Sequence, residues 1–75
     1  MGQIWFDNRY GASIRMEPTD WTGGLPLYEV ALVHGQPNDW SMLDAQILGT
    51  EYDEDVIRYA TGVALLEIFQ KISAL

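Results

Sequence analysis

The sequence predicts an α+β fold: a small antiparallel β-sheet of two to four strands with a C-terminal α-helix packed across it. Three observations carry this reading. Residues alternate between apolar and polar from Ile4 to Met16, an aliphatic run follows from Leu27 to Val33, and the stretch from Asp55 to Ala74 contains no proline and opens on carboxylates. At 75 residues the chain reads as a single domain, 1–75, with no room for a second core.

In the first segment Ile4, Phe6, Tyr10, Ala12, Ile14 and Met16 fall on even positions, and Asp7, Arg9, Ser13 and Arg15 on odd ones. Period-two alternation marks a strand with one buried face. Asp7-Asn8 interrupts it with turn chemistry, so the segment is either a short hairpin or one long bent strand. Gly11 marks a bulge or a close backbone approach. Pro18 to Pro26 is a loop by composition. Leu27 to Val33 is apolar on both faces apart from Glu29, which makes it the central strand. His34 to Asp39 is a polar turn. Trp40 to Leu43 is a candidate third strand, and Asp44 to Leu48 is either a helical turn or extended chain. The final helix is capped by Thr50 or Asp53, with Asp53, Glu54 and Asp55 at the positive end of its dipole.

Within that helix the apolar stripe changes sides. Val56, Ile57, Tyr59, Ala60, Val63 and Ala64 share one face at about 100° per residue, whereas Leu65, Leu66, Ile68, Phe69 and Ile72 cluster roughly opposite. Three arrangements account for this. The helix breaks or kinks at Gly62, and both halves meet one core. Alternatively it is straight, with its second half against another chain, or it is sandwiched within the fold. Leaving Leu65, Ile68, Phe69 and Ile72 in water would forfeit roughly 1.5–3 kcal/mol each, so something must cover them. A second copy is one such cover: the sequence predicts a homodimer, and these four residues are either contacts to a partner protein or, equally, the homodimer seam. A domain of this size without cysteine lacks the usual disulfide staple.

Charge narrows the partners. Between Arg15 and Arg58 stand nine carboxylates and no lysine or arginine, in a chain of net charge −7. Such a balance disfavours nucleic-acid backbones and anionic membranes and favours a basic protein partner or none. No stretch of about 18 apolar residues occurs, and the start Met-Gly-Gln-Ile-Trp-Phe-Asp is neither a signal peptide nor a myristoylation pattern. These features predict a cytoplasmic protein with no membrane association.

Candidate chemistry is sparse. Glu51 to Asp55 lacks the ligand spacing of a calcium loop, and its ordinary reading is a solvated helix start. His34 has no sequence-visible nucleophile or orienting acid. No phosphate-binding glycine motif appears. We therefore expect no catalytic residue, cofactor or metal. Trp21, in the Pro/Gly loop, is the best single candidate for an exposed contact, whereas Trp5 and Trp40 are expected to pack. The interaction candidates are Trp21, Leu65, Ile68, Phe69 and Ile72, with Asp53, Glu54 and Asp55 leading a second reading in which the acidic run imitates DNA. A small enzyme or ligand-binding domain stands third.

Tyr10-Gly11-Ala12-Ser13-Ile14-Arg15, then Gly23-Gly24, then Leu27-Tyr28-Glu29-Val30-Ala31-Leu32, and finally Ile72-Ser73-Ala74-Leu75 form an ordered series. It resembles small acidic accessory proteins encoded by bacteriophages of actinobacteria. Those carry a Tyr-Gly-Ala-Ser-Val strand, a glycine-containing turn, a Leu-Trp-Glu-Leu-Ala-Val strand and a helix ending in Ile-x-x-Leu. The chain departs from them between Trp40 and Thr50, where they show a Tyr-Asp-Thr strand. The resemblance implies no activity and no functional residues. It implies a class of non-catalytic proteins that bind and modulate a host protein, here in the cytoplasm of the host cell.

Overall fold

Alternation, turn chemistry and one bulge build a five-stranded antiparallel sheet with a single helix on one face. The computed structural model describes residues 2–17, 26–52 and 54–75. Strands β1 (Gly2–Trp5) and β2 (Tyr10–Met16) form a hairpin in the register Ile4↔Ala12 and Gly2↔Ile14. The Phe6 N–H donates to the Tyr10 carbonyl at 2.9 Å, the Arg9 N–H donates to Phe6 at 3.2 Å, and Arg9 takes φ 69°. This is a tight turn closed by a left-handed residue, a common three-residue hairpin loop. Asn8 stabilises it, its Oδ1 accepting from the Tyr10 N–H at 3.0 Å. Of the two sequence readings, the hairpin is the one observed.

Strand β3 (Tyr28–Gln36) is central. It pairs with β2 along one side, from Tyr10↔His34 to Met16↔Tyr28. Its other side is shared end to end by two strands: β4 (Asp39–Leu43) opposite Gln36 to Leu32, and β5 (Ile57–Ala60) opposite Val30 and Tyr28. Between β4 and β5 the chain leaves the sheet edge and folds back over its helix-bearing face. Asp44 caps a short 3₁₀ turn, Ala45–Leu48, its Oδ1 accepting from the Gln46 N–H at 2.9 Å. Ala45 is buried there, and Leu48 and Tyr52 pack against the main core.

The strand count of two to four is thus corrected to five, and the extra strand comes from the predicted helix. Ile57–Ala60 is strand, and the helix α1 runs only from Gly62 to Ser73. The cap is Thr61, whose Oγ1 accepts from the Ala64 N–H at 3.2 Å, in place of Thr50 or Asp53. The cause of the misreading is a bulge. Ile57 opposes Val30 and Ala60 opposes Tyr28, so three steps on β5 match two on β3, with Tyr59 at φ 58°. Ile57 and Ala60 therefore both turn inward at a spacing of three, which a sequence reading takes for helix.

The core lies between the sheet and α1. Ala12, Val30, Leu32 and Ala60 from the strands meet Ile68 and Ile72 from the helix, with Tyr10, Ile14, Leu43, Leu65 and Phe69 packed around them. The Phe6 and Phe69 ring centroids are 6.2 Å apart. At the far end of α1, Asn8 Nδ2 donates to the Ile72 carbonyl at 2.8 Å and ties the helix to the β1–β2 turn. The shift of the apolar stripe at Gly62 is a change from strand to helix, and both halves meet one core. The proposed dimer seam is accordingly corrected: Ile68 (1% exposed) and Ile72 (0%) are covered by this chain's own sheet. Replacing Thr61 by alanine is expected to cost about 1 kcal/mol by removing the cap acceptor, which a urea titration followed by circular dichroism would register.

Candidate functional site

Two surfaces remain after the core is assembled, and they differ in charge. The first is the sheet face opposite α1. Since Ala12 and Leu32 face the helix, their neighbours face the other way. One row across four strands is Trp5, Gly11, Val33 and Met42, and the next is Gln3, Ser13 and Ala31. Gly11 is required by close approach: a Cβ there would stand 2.6 Å from the Ile4 carbonyl oxygen and 3.0 Å from the Trp5 ring. The Trp5 ring thus lies over the glycine. Val33 is fully buried on this open side, while Trp40 and Met42 remain 42% and 52% exposed. An open depression of about 540 Å³ runs between Gln3, Ser13, Arg15, Ala31, Trp40 and Met42. At its end two guanidiniums share one carboxylate: Arg15 meets Glu29 at 3.1 Å, and Arg58 approaches the same oxygen at 3.7 Å.

The second surface is the outer side of α1 with the segment leading into β5. Val63 and Leu66, one helical turn apart, are the most exposed large apolar side chains described, at 71% and 63%. Tyr59 is half exposed just before the cap. By helical spacing Glu67 lies one turn from Val63, and Lys71 one turn from Glu67. Lys71 is turned towards the neighbouring loop. Its Nζ donates to Glu51 at 2.8 Å and to the Tyr52 hydroxyl at 3.2 Å, and lies 4.8 Å from the Tyr52 ring centroid. The hydrogen bond from Lys71 holds the Glu51 carboxyl below its ordinary range, and the same bond raises Lys71. Glu54 pairs with Arg58 at 4.0 Å. The field of Glu29, with that of Glu17, raises Arg58 above its ordinary value. Glu17 is buried, and its Oε1 has no hydrogen-bond partner.

The structure separates the residues singled out from sequence. Trp21 and Asp53 lie outside the described residues. Ile68 and Ile72 are core, Leu65 and Phe69 are half-buried beside them, and Glu54 and Asp55 are exposed on the segment before β5. Sequence reasoning missed Trp40, Met42, Val63 and Leu66 as surface groups. The alternation of Trp40 and Met42 in a candidate strand was the available signal for the first pair. Among the described residues no group of three or more potential metal ligands converges, and no helix is long and apolar enough to cross a membrane. No family model, curated protein or solved structure matches this chain.

Proposed function

We propose that this chain is a non-catalytic interaction protein of the phage accessory class its motifs resemble, binding a basic surface of a host protein through the outer side of α1. The observation that carries this reading is the exposure, one helical turn apart, of Val63 and Leu66, the two most exposed large apolar side chains described, in a segment rich in carboxylates. From Thr50 to Lys71 the sequence holds five carboxylates against two cations. Those cations are engaged by Glu29, Glu51 and Glu54, and among the described residues Asp55 and Glu67 make no ion pair. Apolar contact supplies affinity at the centre of an interface, while rim charge sets partner choice and association rate. A partner with an apolar centre flanked by lysine or arginine complements this surface.

Affinity capture from an actinobacterial lysate tests the reading, with the parent chain and Leu66→Asp as parallel baits. The expected result is a basic protein retained by the parent chain, reduced several-fold between 0.1 and 0.5 M salt as screening shortens the reach of the rim charges, and lost with Leu66→Asp. Retention that ignores Leu66 but collapses with Asp55→Lys would favour the DNA-mimic reading. Retention that ignores both would remove this surface from the function.

A further inference from the structure

We infer that the open sheet face is the interface between two copies of this chain. It rests on the sheet alone, and the helix-face reading neither supports nor requires it.

Among the described residues α1 covers only one side of the sheet, and the other side exposes Trp40 and Met42, flanked by Trp5 and Ala31 around the buried Val33. Tryptophan and methionine on a half-covered strand are the residue types enriched at protein interfaces. The molecule's shortest extent, 19 Å, corresponds to one sheet and one helix layer. The largest fully buried side chains are Leu32, Ile68, Ile72, Val30 and Val33, a small set for a domain without disulfides. A second sheet packed about 10 Å away would supply the missing layer.

Charge identifies the occupant. Two chains of net charge −7 repel one another over most of their surface. This face is the exception, because its carboxylate, Glu29, is shared by Arg15 and Arg58 and leaves no excess negative charge there. A basic foreign partner finds little to bind here, since Glu29 already sits between Arg15 and Arg58. A neutral, apolar and slightly concave surface is best met by another neutral surface, and a second copy presents one across a twofold axis. The depression between Gln3, Ser13 and Ala31 then receives the Trp40 and Met42 side chains of the other copy.

The test is absolute molar mass by light scattering on a sizing column over a wide concentration range, with circular dichroism to verify folding. The parent chain is expected to show twice its 8.5 kDa mass. Met42→Glu places like charges across the twofold and is expected to weaken dimerisation at least about tenfold, as is Trp40→Ser. Leu66→Asp, on the other surface, is expected to leave the dimer intact. A parent chain that stays monomeric throughout overturns the inference. So does a dimer that survives both sheet-face substitutions in folded protein, or one that is lost only with Leu66→Asp. If Met42→Glu fails to fold, Trp40→Ser decides the matter.

Discussion

Replacing Ile68 by alanine is expected to lower the stability of the chain by about 2–5 kcal/mol, the cost of a cavity in a packed core. A domain of this size has a total stability of only roughly 4–11 kcal/mol, so the variant would be marginal at room temperature. Ile68 is 1% exposed between Ala12, Val30 and Leu32 on the sheet and its own helix neighbour Ile72. Little room exists for the strands to collapse into the space, because three antiparallel pairings hold them in register. The expected loss separates two accounts of the helix. If Ile68 is a core residue, its replacement destabilises the folded chain at every protein concentration. As a seam residue it would leave the isolated chain stable and shift only association. Urea unfolding at two concentrations a hundredfold apart reads the difference, and a variant as stable as the parent would return Ile68 to an interface.

Gly35→Val is expected to cost about 1–3 kcal/mol or more and to remove self-association along with stability. Gly35 stands at φ 131°, a backbone conformation that β-branched residues avoid, and a Cβ there would overlap the Asp39 carbonyl oxygen. The carbonyl belongs to the facing strand, so it cannot swing aside as a side chain would. Relief requires opening the β3–β4 hairpin, and that hairpin carries Trp40 and Met42 to the open face. Thermal melts followed by circular dichroism, paired with molar mass, would show both losses together. Gly62→Ala serves as the contrast. Nothing lies within 4 Å of a Cβ at Gly62, and the substitution is expected to be neutral or to stabilise by up to about 1 kcal/mol. A large destabilisation there would mean that Gly62 is needed for a bend, as the sequence reading of a kinked helix supposed.

Much of the sheet was legible because its code is local. Alternation from Ile4 to Met16, broken at Asp7-Asn8, is enough to put Ala12 and Ile14 on one buried face, but the choice between a hairpin and one long bent strand needed the pairing of Ile4 with Ala12. The aliphatic run at Leu27 to Val33 marks a central strand, and β3 is paired along both of its edges. The position of α1 was less legible, for a specific reason. The bulge at Tyr59 turns the inward spacing of Ile57 and Ala60 from two residues to three, and three is also a helical interval. A strand with one extra residue and a helical turn then present the same apolar pattern, and only pairing with Tyr28 and Val30 tells them apart. The surfaces were harder still. Periodicity shows which residues share a face but not what covers it. Leu66 and Leu65 are adjacent apolar residues of one helix, and the sheet reaches only the second. Trp40 was expected to pack because tryptophan often supplies core volume, yet no element among the described residues lies over its side of the sheet. The carboxylates were countable from sequence. Their partition into Glu29, Glu51 and Glu54, which have cationic partners, and Asp55 and Glu67, which do not, required coordinates.

The division of surfaces by charge is most directly tested by nuclear magnetic resonance of the ¹⁵N-labelled chain on serial dilution. If the neutral sheet face joins two copies, the amide signals of Gln3, Ser13, Ala31, Trp40 and Met42, and the Trp5 and Trp40 indole signals, are expected to move together as the protein is diluted. Those of Val63, Leu66 and Gln70 should stay in place. Movement along the outer helix with a silent sheet face would contradict the account and put self-association on the acidic surface.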